Sequence, residues 1–163
     1  MNLGRPAHYP VPEQRPERLF YIQRNKNTAT VIYKINEMPG GVLNLDNPLE
    51  LWWLTFDNNG TENDCHELNA MQVTLAYGYE SHPIQNNLIR FCLKAYRDLV
   101  FYLIKNASGY RVEVELKNKF CVLDSIFVFT EDLVVFPQVK FADLHLLRSE
   151  DEGIFVHRIY FNQ

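Results

Sequence analysis

The sequence predicts a mainly β protein, an antiparallel meander that closes as a barrel or packs as a two-sheet sandwich. The main observation is the segment from Tyr110 to Lys117, in which apolar and charged residues alternate without a break. A period of two places successive side chains on opposite faces of a strand, one toward a core and one toward water. Aromatic residues make up 13% of the chain, and such residues are enriched in strands. These observations predict a sheet, and they predict no activity.

The chain of 163 residues is long enough for one domain, which can bury about 70% of the surface of its unfolded chain. We divide it into a Pro-rich N-terminal arm, residues 1–17, and a single β-rich domain, residues 18–163. The arm has no apolar run resembling a signal peptide, and no segment offers the roughly 20 apolar residues of a membrane helix. We therefore expect a soluble, cytoplasmic protein with no membrane partner, unless a leader was removed.

Charge and cysteine content exclude two further classes. The net charge is −4 and the 16 basic residues are dispersed, so no basic stripe is present that could bind the phosphate backbone of nucleic acid. The cysteines Cys65, Cys92 and Cys121 are far apart and lack Cys-x-x-Cys spacing, which argues against a disulfide framework and against a zinc ribbon. We expect buried thiols, no structural metal and no cofactor.

The first strands are predicted as a hairpin. Arg18 to Arg24 and Thr28 to Asn36 are joined by Asn25-Lys26-Asn27, and Asn tolerates the left-handed backbone of such turns. Leu49 to Phe56 follows as the third strand, with apolar residues on both faces. Such a strand must be covered on both sides, by a core on one and by a helix, the arm or a partner subunit on the other.

One helix is predicted between strands three and four. Apolar residues recur at helical spacing at Leu68, Met71 and Leu75. Asn63-Asp64 can cap the free N–H groups at the start of this segment, and Gly78 suits a left-handed C-cap at its end. We expect a helix of roughly three turns that packs its apolar face on the sheet.

From Leu88 onward the chain is predicted as nearly continuous sheet, with turns short enough to require antiparallel neighbours. Exposed strand edges invite aggregation, so we expect closure into a barrel or folding into two packed sheets. The alternative places the helix on the concave side of a single curved sheet. The predicted strands are Leu88 to Tyr96, Leu99 to Lys105, Tyr110 to Lys117, Phe120 to Thr130, Val139 to Arg148 and Ile154 to Phe161.

Several short segments resemble a known family. These are Leu19 to Asn25, Val31 to Asn36, Asn47-Pro48 with Trp53, and Met71-Gln72 with Ala76 to Gly78. They resemble a bacterial family catalogued as a domain of unknown function, number 4833, over most of residues 18 to 161. The resemblance implies a shared fold and no mechanism, and many members of such a family are expected to be exported.

Asp143, His145 and His157 form a candidate cluster. If the last hairpin turns about Asp151, His145 lies opposite His157 and Asp143 opposite Ile159, all on one face. Two imidazoles and a carboxylate could bind a metal or act as a base with its orienting partner. A change of one residue in register separates the histidines, and a cross-strand pair on a solvated face needs no function. We expect no metal and no catalytic residue here.

Arg24 is a candidate ligand-binding residue, because it ends an otherwise apolar strand beside Asn25. With Gln72 and Tyr77 it could line a polar mouth, although an arginine at a strand end more often pairs with an acid or lies over an aromatic ring. Trp52 and Trp53 are adjacent and cannot share a face. One is predicted in the core, and the other under the helix or on a ligand or subunit surface.

These residues favour a non-catalytic binding or interaction protein that holds a small apolar or amphipathic ligand in an aromatic-lined mouth or cleft. The candidate ligand-binding residues are Arg24, Trp52, Gln72, Tyr77, His145 and His157. One alternative is a metal-dependent or hydrolytic enzyme using Asp143, His145 and His157. Another is a homodimerisation module without a ligand, whose interface is formed by the strand that is apolar on both faces.

Overall fold

The computed structural model describes residues 4–132, 137–147 and 153–161. It is mainly β, as predicted, with one short helical segment. The strands are β1 (Arg18–Arg24), β2 (Asn27–Ile35), β3 (Glu37–Met38), β4 (Val42–Leu43), β5 (Leu49–Phe56), β6 (Glu62–Glu67), β7 (Tyr79–Gln85), β8 (Leu88–Leu93), β9 (Tyr96–Asn106), β10 (Gly109–Leu116), β11 (Lys119–Asp132), β12 (Pro137–Leu147) and β13 (Ile154–Tyr160).

Strand β11 is the centre of the sheet. One of its edges pairs with β12, which also pairs with β13, and its other edge pairs first with β10 and then with β1. From β1 the sheet continues through β2 and β5 to β6, and from β10 through β9 and β8 to β7. These two wings belong to one large curled sheet that forms a half-barrel. The predicted closed barrel or two-sheet sandwich is thereby replaced by a single curved sheet.

The core fills the concave side of this sheet, which we call the inner face. Phe20 of β1 stacks with Phe91 of β8 at 6.4 Å and with Phe101 of β9 at 6.3 Å, ring centre to ring centre. Phe20 also stacks on Tyr33 at 4.3 Å. The four rings are at most 2% exposed. Aromatic side chains from the two wings therefore meet in one buried stack, which holds the half-barrel in its curled form.

Several predicted strands are confirmed. The alternating segment forms β10, whose Val112 and Val114 are fully buried. The first hairpin and the third predicted strand occur as β1, β2 and β5. One feature departs from an antiparallel meander, because β1 runs parallel to β11, with Tyr21 beside Ser125. That pairing joins segments far apart in sequence, so no local pattern indicates it.

The predicted three-turn helix is wrong in position and length. Its first half is the exposed edge strand β6, which pairs with β5. Helix α1 (Ala70–Gln72) starts only after Asn69, which caps it with Gln72 in a capping box, and a π-helical turn (Val73–Tyr77) follows. Met71 is 70% exposed, so it does not belong to a buried helix face; the side chain of Leu75 lies outside the described part.

Gly78 follows the π-helical turn for a steric reason and not for a left-handed C-cap. Its φ is −63°, which any residue can adopt. A Cβ at this position would lie 2.3 Å from the Val73 carbonyl oxygen. The glycine is therefore required by the close approach of the backbone. The helical segment also lies after β6 and before β7, so two edge strands flank it that the sequence did not predict.

The register of the last hairpin differs from the prediction by one residue. His145 lies opposite Val156, His157 opposite Leu144, and Asp143 opposite Arg158. The two histidines therefore point to opposite faces of the sheet. The turn itself, at residues 148–152, lies outside the described residues.

The β8–β9 turn is also shifted from its predicted position. It falls at Lys94 and Ala95 and not at Arg97-Asp98, the gap between the two predicted strands.

The N-terminal arm packs on the convex side of the sheet, which we call the outer face. Tyr9 is 9% exposed and meets Phe127 edge to face at 6.1 Å between ring centres. Arg5 Nε donates to Gln23 Oε1 at 2.7 Å, and Gln23 Nε2 donates to the Pro10 carbonyl at 2.9 Å. The arm therefore covers apolar residues that face away from the main core, which explains how β1 and β11 are buried on both faces.

Candidate binding cleft

One end of the inner face forms an apolar cleft of 390 Å³, which we call the inner cleft. It is lined by β1, β9, β11, β12, β13 and the π-helical turn. Its most buried lining residues include Phe101, Ile126 and Leu144, while Ala76 and Ala95 are exposed at its rim. The inner cleft is thus continuous with the hydrophobic core at one end and reaches solvent at the other.

Aromatic rings form part of the cleft wall. Tyr96 and Phe161 meet edge to face at 5.0 Å between ring centres. Tyr77 contributes from the π-helical turn, and it meets Trp53 edge to face at 6.5 Å. Trp53 is half-buried and packs against the main core, so the prediction that one tryptophan belongs to the core holds in part. The helical segment therefore serves to place Tyr77 between the core and the cleft.

Arg24 carries the only formal charge among the described residues that line the inner cleft. Its guanidinium carbon lies 5.7 Å from the centre of the Tyr77 ring, a cation–π contact. Burial raises the pKa of the Tyr77 hydroxyl, and the Arg24 charge offsets part of that rise. Within the described residues no carboxylate forms an ion pair with Arg24.

Asn25 fixes the end of β1 at the cleft. Its side-chain amide donates to the Thr130 carbonyl at 3.0 Å, and its Oδ1 accepts from the Thr130 amide at 2.9 Å. This pair of bonds continues the β1–β11 ladder by one residue, with the side chain acting in place of a backbone. Arg24 is the neighbouring residue, so its Cα is held against β11 at the point where the inner cleft begins.

A second cleft, of 470 Å³, lies between the arm and the outer face of β1, β10 and β11. We call it the arm cleft. Its arginines are neutralised within the protein: Arg15 pairs with Glu13 and Arg18 with Glu62, both at 2.7 Å, and Arg111 pairs with Glu113. The bond from Arg18 lowers the pKa of Glu62. The arm cleft therefore has cationic side chains that are already paired with glutamates of the protein.

The outer face also holds Asp143 and His145, two of the three residues predicted as an Asp-His-His cluster, whereas His157 lies on the other face. Asp143 is 2% exposed and accepts from Arg158 at 2.7 Å and 3.0 Å, and the Arg158 guanidinium lies 3.8 Å from the Phe141 ring centre. Burial lowers the pKa of His145, the Asp143 charge opposes that shift, and its buried Nε2 has no hydrogen-bond partner within the described residues. Asp143 is thus a buried structural ion-pair partner.

The structure brings together only two of the predicted ligand-binding residues. Arg24 and Tyr77 both line the inner cleft. Gln72 instead accepts from the Asn69 amide in the capping box. Trp52 lies on the other face from Trp53, beneath Lys34, and donates to Glu50. His145 and His157 do not line either cleft.

Sequence reasoning missed most of the cleft wall. Tyr96, Leu99, Ile159 and Phe161 line it, and the sequence pattern predicts each only as a strand residue. The predicted turn at Arg97-Asp98 leaves Tyr96 at the end of one strand, whereas the turn at Lys94 places it at the start of β9, beside the cleft. Among residues 4–132, 137–147 and 153–161, no three His, Cys, Asp or Glu side chains are grouped so as to hold a metal.

The three cysteines differ in exposure. Cys65 is exposed and Cys92 and Cys121 are half-buried, so the expectation of buried thiols is wrong for Cys65 and holds only in part for the other two. The helices of the described chain are all too short or too polar to cross a membrane.

Comparison with known proteins gives a family and no activity. The sequence profile of a family described as Domain of unknown function (DUF4833) matches residues 20–157. This range begins within β1 and ends within β13, so it contains most of the inner cleft and leaves out the arm. No curated protein and no solved structure matches the chain.

Proposed function

We propose that this chain, which belongs to the DUF4833 family, is a non-catalytic binding protein that holds a small apolar or amphipathic molecule in its inner cleft. The observation that carries the proposal is an apolar cleft of 390 Å³ with a single charged side chain among its described lining residues. Ligand sites are commonly clefts of about 300–1,000 Å³ that are mostly apolar, with few polar groups that orient the ligand.

The position of the cleft supports this function. Two of the strands in its walls, β1 and β9, are joined by the buried stack of Phe20 and Phe101, which holds that part of the cleft without a ligand. Its rim carries the small side chains of Ala76 and Ala95, which leave the entrance open. When an apolar ligand covers apolar walls that would otherwise contact water, the free energy of the system falls.

Native mass spectrometry of the purified protein is the first test, because it detects a small molecule retained from the cell. The second is titration of the delipidated protein with the neutral fluorescent probe N-phenyl-1-naphthylamine. Ala142 is 8% exposed and lines the cleft, so Ala142→Phe should fill it and lower probe affinity at least about tenfold.

The matched control is Ala107→Phe, which introduces the same side chain in the exposed β9–β10 turn and should leave probe affinity unchanged. Equal binding by wild type and Ala142→Phe, with both proteins folded, would contradict the proposed site. The enzyme alternative finds no support in the last hairpin, since Asp143 and His145 lie on the opposite face from His157.

A homodimer is a second candidate function, favoured by the apolar outer side of β13. Ile154, Val156 and Tyr160 are 54%, 51% and 71% exposed, and in the described chain β13 pairs with β12 alone. A second copy could cover this strand. Light scattering measures the molar mass of wild type and of Val156→Lys in solution. A dimeric wild type and a monomeric Val156→Lys support this function. If both proteins are monomeric, this function is contradicted.

A further inference from the structure

We infer that Arg24 makes the inner cleft selective for an amphipathic monoanion, namely a medium-chain carboxylate whose head group binds the guanidinium. The inference rests on the proposed function and adds the charge and orientation of the ligand. The carboxylate lies at the Arg24 end, and the hydrocarbon chain lies along the apolar walls.

Arg24 differs from several other arginines of this chain in having no carboxylate partner within the described residues. Arg15, Arg18 and Arg111 each form an ion pair with a glutamate, whereas within the described residues Arg24 has the Tyr77 ring as its electrostatic partner and no carboxylate. A cation beside apolar walls attracts an anion more strongly than the same cation in bulk water, because the field is screened less. The carboxylate of a ligand can supply the negative charge that neutralises Arg24.

The guanidinium is also held in place before a ligand arrives. The Asn25–Thr130 hydrogen bonds fix the backbone beside it, and the Tyr77 ring supports one side of the side chain. A planar guanidinium presents its N–H groups as a fork that matches the two oxygens of a carboxylate. Less conformational freedom is then lost on binding, which favours affinity.

Polarity along the cleft sets the orientation. Arg24 is the last residue of β1 and half-buried, and Lys26 in the turn that follows is exposed. Phe101 and Leu144, also in the lining, are at most 1% exposed. A head group at Arg24 can therefore remain near water while the chain enters the buried end. One cation in the described lining matches one negative charge, which favours a carboxylate over a dianionic phosphate.

The test uses the delipidated, full-length protein and three ligands of equal chain length: decanoate, 1-decanol and decylammonium. Each is titrated by displacement of N-phenyl-1-naphthylamine. We expect wild type to bind decanoate at least about tenfold more tightly than decanol, as for a charge-assisted hydrogen-bonded pair, and decylammonium most weakly. In Arg24→Gln decanoate and decanol should bind equally, and Arg15→Gln, the control at an exposed arginine, should keep the wild-type ratio.

The outcomes separate this inference from the proposed function. Equal affinities for decanoate and decanol in wild type overturn the inferred selectivity and leave an apolar binding protein. This comparison needs no variant, so it stands even if Arg24→Gln fails to fold. A preference for decanoate that persists in Arg24→Gln overturns the role of Arg24. If neither the probe nor any of the three ligands binds, the proposed function fails, and the inference fails with it.

Discussion

The inner cleft and the arm cleft lie on opposite faces of β1 and β11 and have similar volumes, 390 Å³ and 470 Å³. They differ in how their charges are neutralised. In the arm cleft Arg15, Arg18 and Arg111 are neutralised by glutamates of the protein. In the inner cleft the described lining has one cation and no acid.

This difference indicates that size alone does not identify a binding site. A ligand for the arm cleft would have to compete with ion pairs and hydrogen bonds that already exist, so it would gain only the difference in free energy. A ligand for the inner cleft covers apolar walls and meets an unneutralised cation. We therefore expect changes on the outer face to alter stability and changes in the inner cleft to alter binding.

The largest effect is expected from Tyr9→Ala, which removes the aromatic anchor of the arm. Tyr9 is 9% exposed and packs on Phe127, so its loss should lower the free energy of unfolding by about 3 kcal/mol. Denaturant unfolding measures this. Val11, at 59% exposure, provides the control, and Val11→Ala should cost less than about 0.5 kcal/mol. A change in probe affinity of the inner cleft in Tyr9→Ala would contradict the separation of the two faces.

Asp143→Ala should cause the next largest loss of stability. It leaves the Arg158 guanidinium without its carboxylate, but Arg158 is 30% exposed at its side chain and can be hydrated in part, so we expect a loss of about 2 kcal/mol. Glu80→Ala breaks the exposed pair with Arg97 and should change stability far less, because solvent screens such a pair. Similar losses in the two variants would show that the outer-face pair is as weak as a surface pair.

A change in pH should have a smaller effect on folding stability, through His145. Burial lowers the pKa of His145 in the folded state, against the opposing charge of Asp143 and with a further lowering by Arg5. The unfolded state then binds more protons, so stability falls as pH drops from about 7 to 5, through the ordinary histidine pKa near 6.5. Thermal unfolding across this range should show a weaker pH dependence in His145→Gln, whereas His82→Gln, exposed on β7, should keep the wild-type profile.

The smallest effect is expected from Arg24→Gln in the ligand-free protein. Arg24 has no ion pair within the described residues, so its removal loses only the cation–π contact with Tyr77 and should lower the free energy of unfolding by about 0.5 kcal/mol. Arg18→Gln should cost more, about 1 to 2 kcal/mol, because it breaks a pair whose side chains are 9% and 17% exposed. Equal costs would mean that Arg24 has a structural role that the inner cleft does not reveal.

Local pattern predicted the strands whose burial follows a regular alternation. In β10, Val112 and Val114 face the core and Arg111 and Glu113 do not, as period two requires. The pattern failed at β6, because the helical spacing of Leu68 and Met71, which follow it, was extended back over residues that form a strand. The exposed edge of β5 needed a partner there, and that pairing outweighed local preference.

The candidate site was harder to predict because its parts are remote in sequence. Arg24, Tyr77 and Phe161 meet at the inner cleft, and no spacing rule connects them. The last hairpin shows a related difficulty. A shift of one residue turned a predicted Asp-His-His cluster into an Asp143–Arg158 ion pair with the two histidines on opposite faces, and residues 153–157 carry no pattern strong enough to fix that register.

The parallel pairing of β1 with β11 has a consequence for how the chain folds. Asn25 and Thr130, which complete that ladder, are 105 positions apart, whereas β8 to β11 are joined to one another by short turns. Contacts between distant segments form later, because a long loop must first be closed. We expect β8 to β11 to assemble early and the β1–β2–β5–β6 wing to dock last. During synthesis, the edge of β1 that pairs with β11 therefore stays unpaired until residue 130 has left the ribosome. We expect the nascent chain to be most prone to aggregation in that interval.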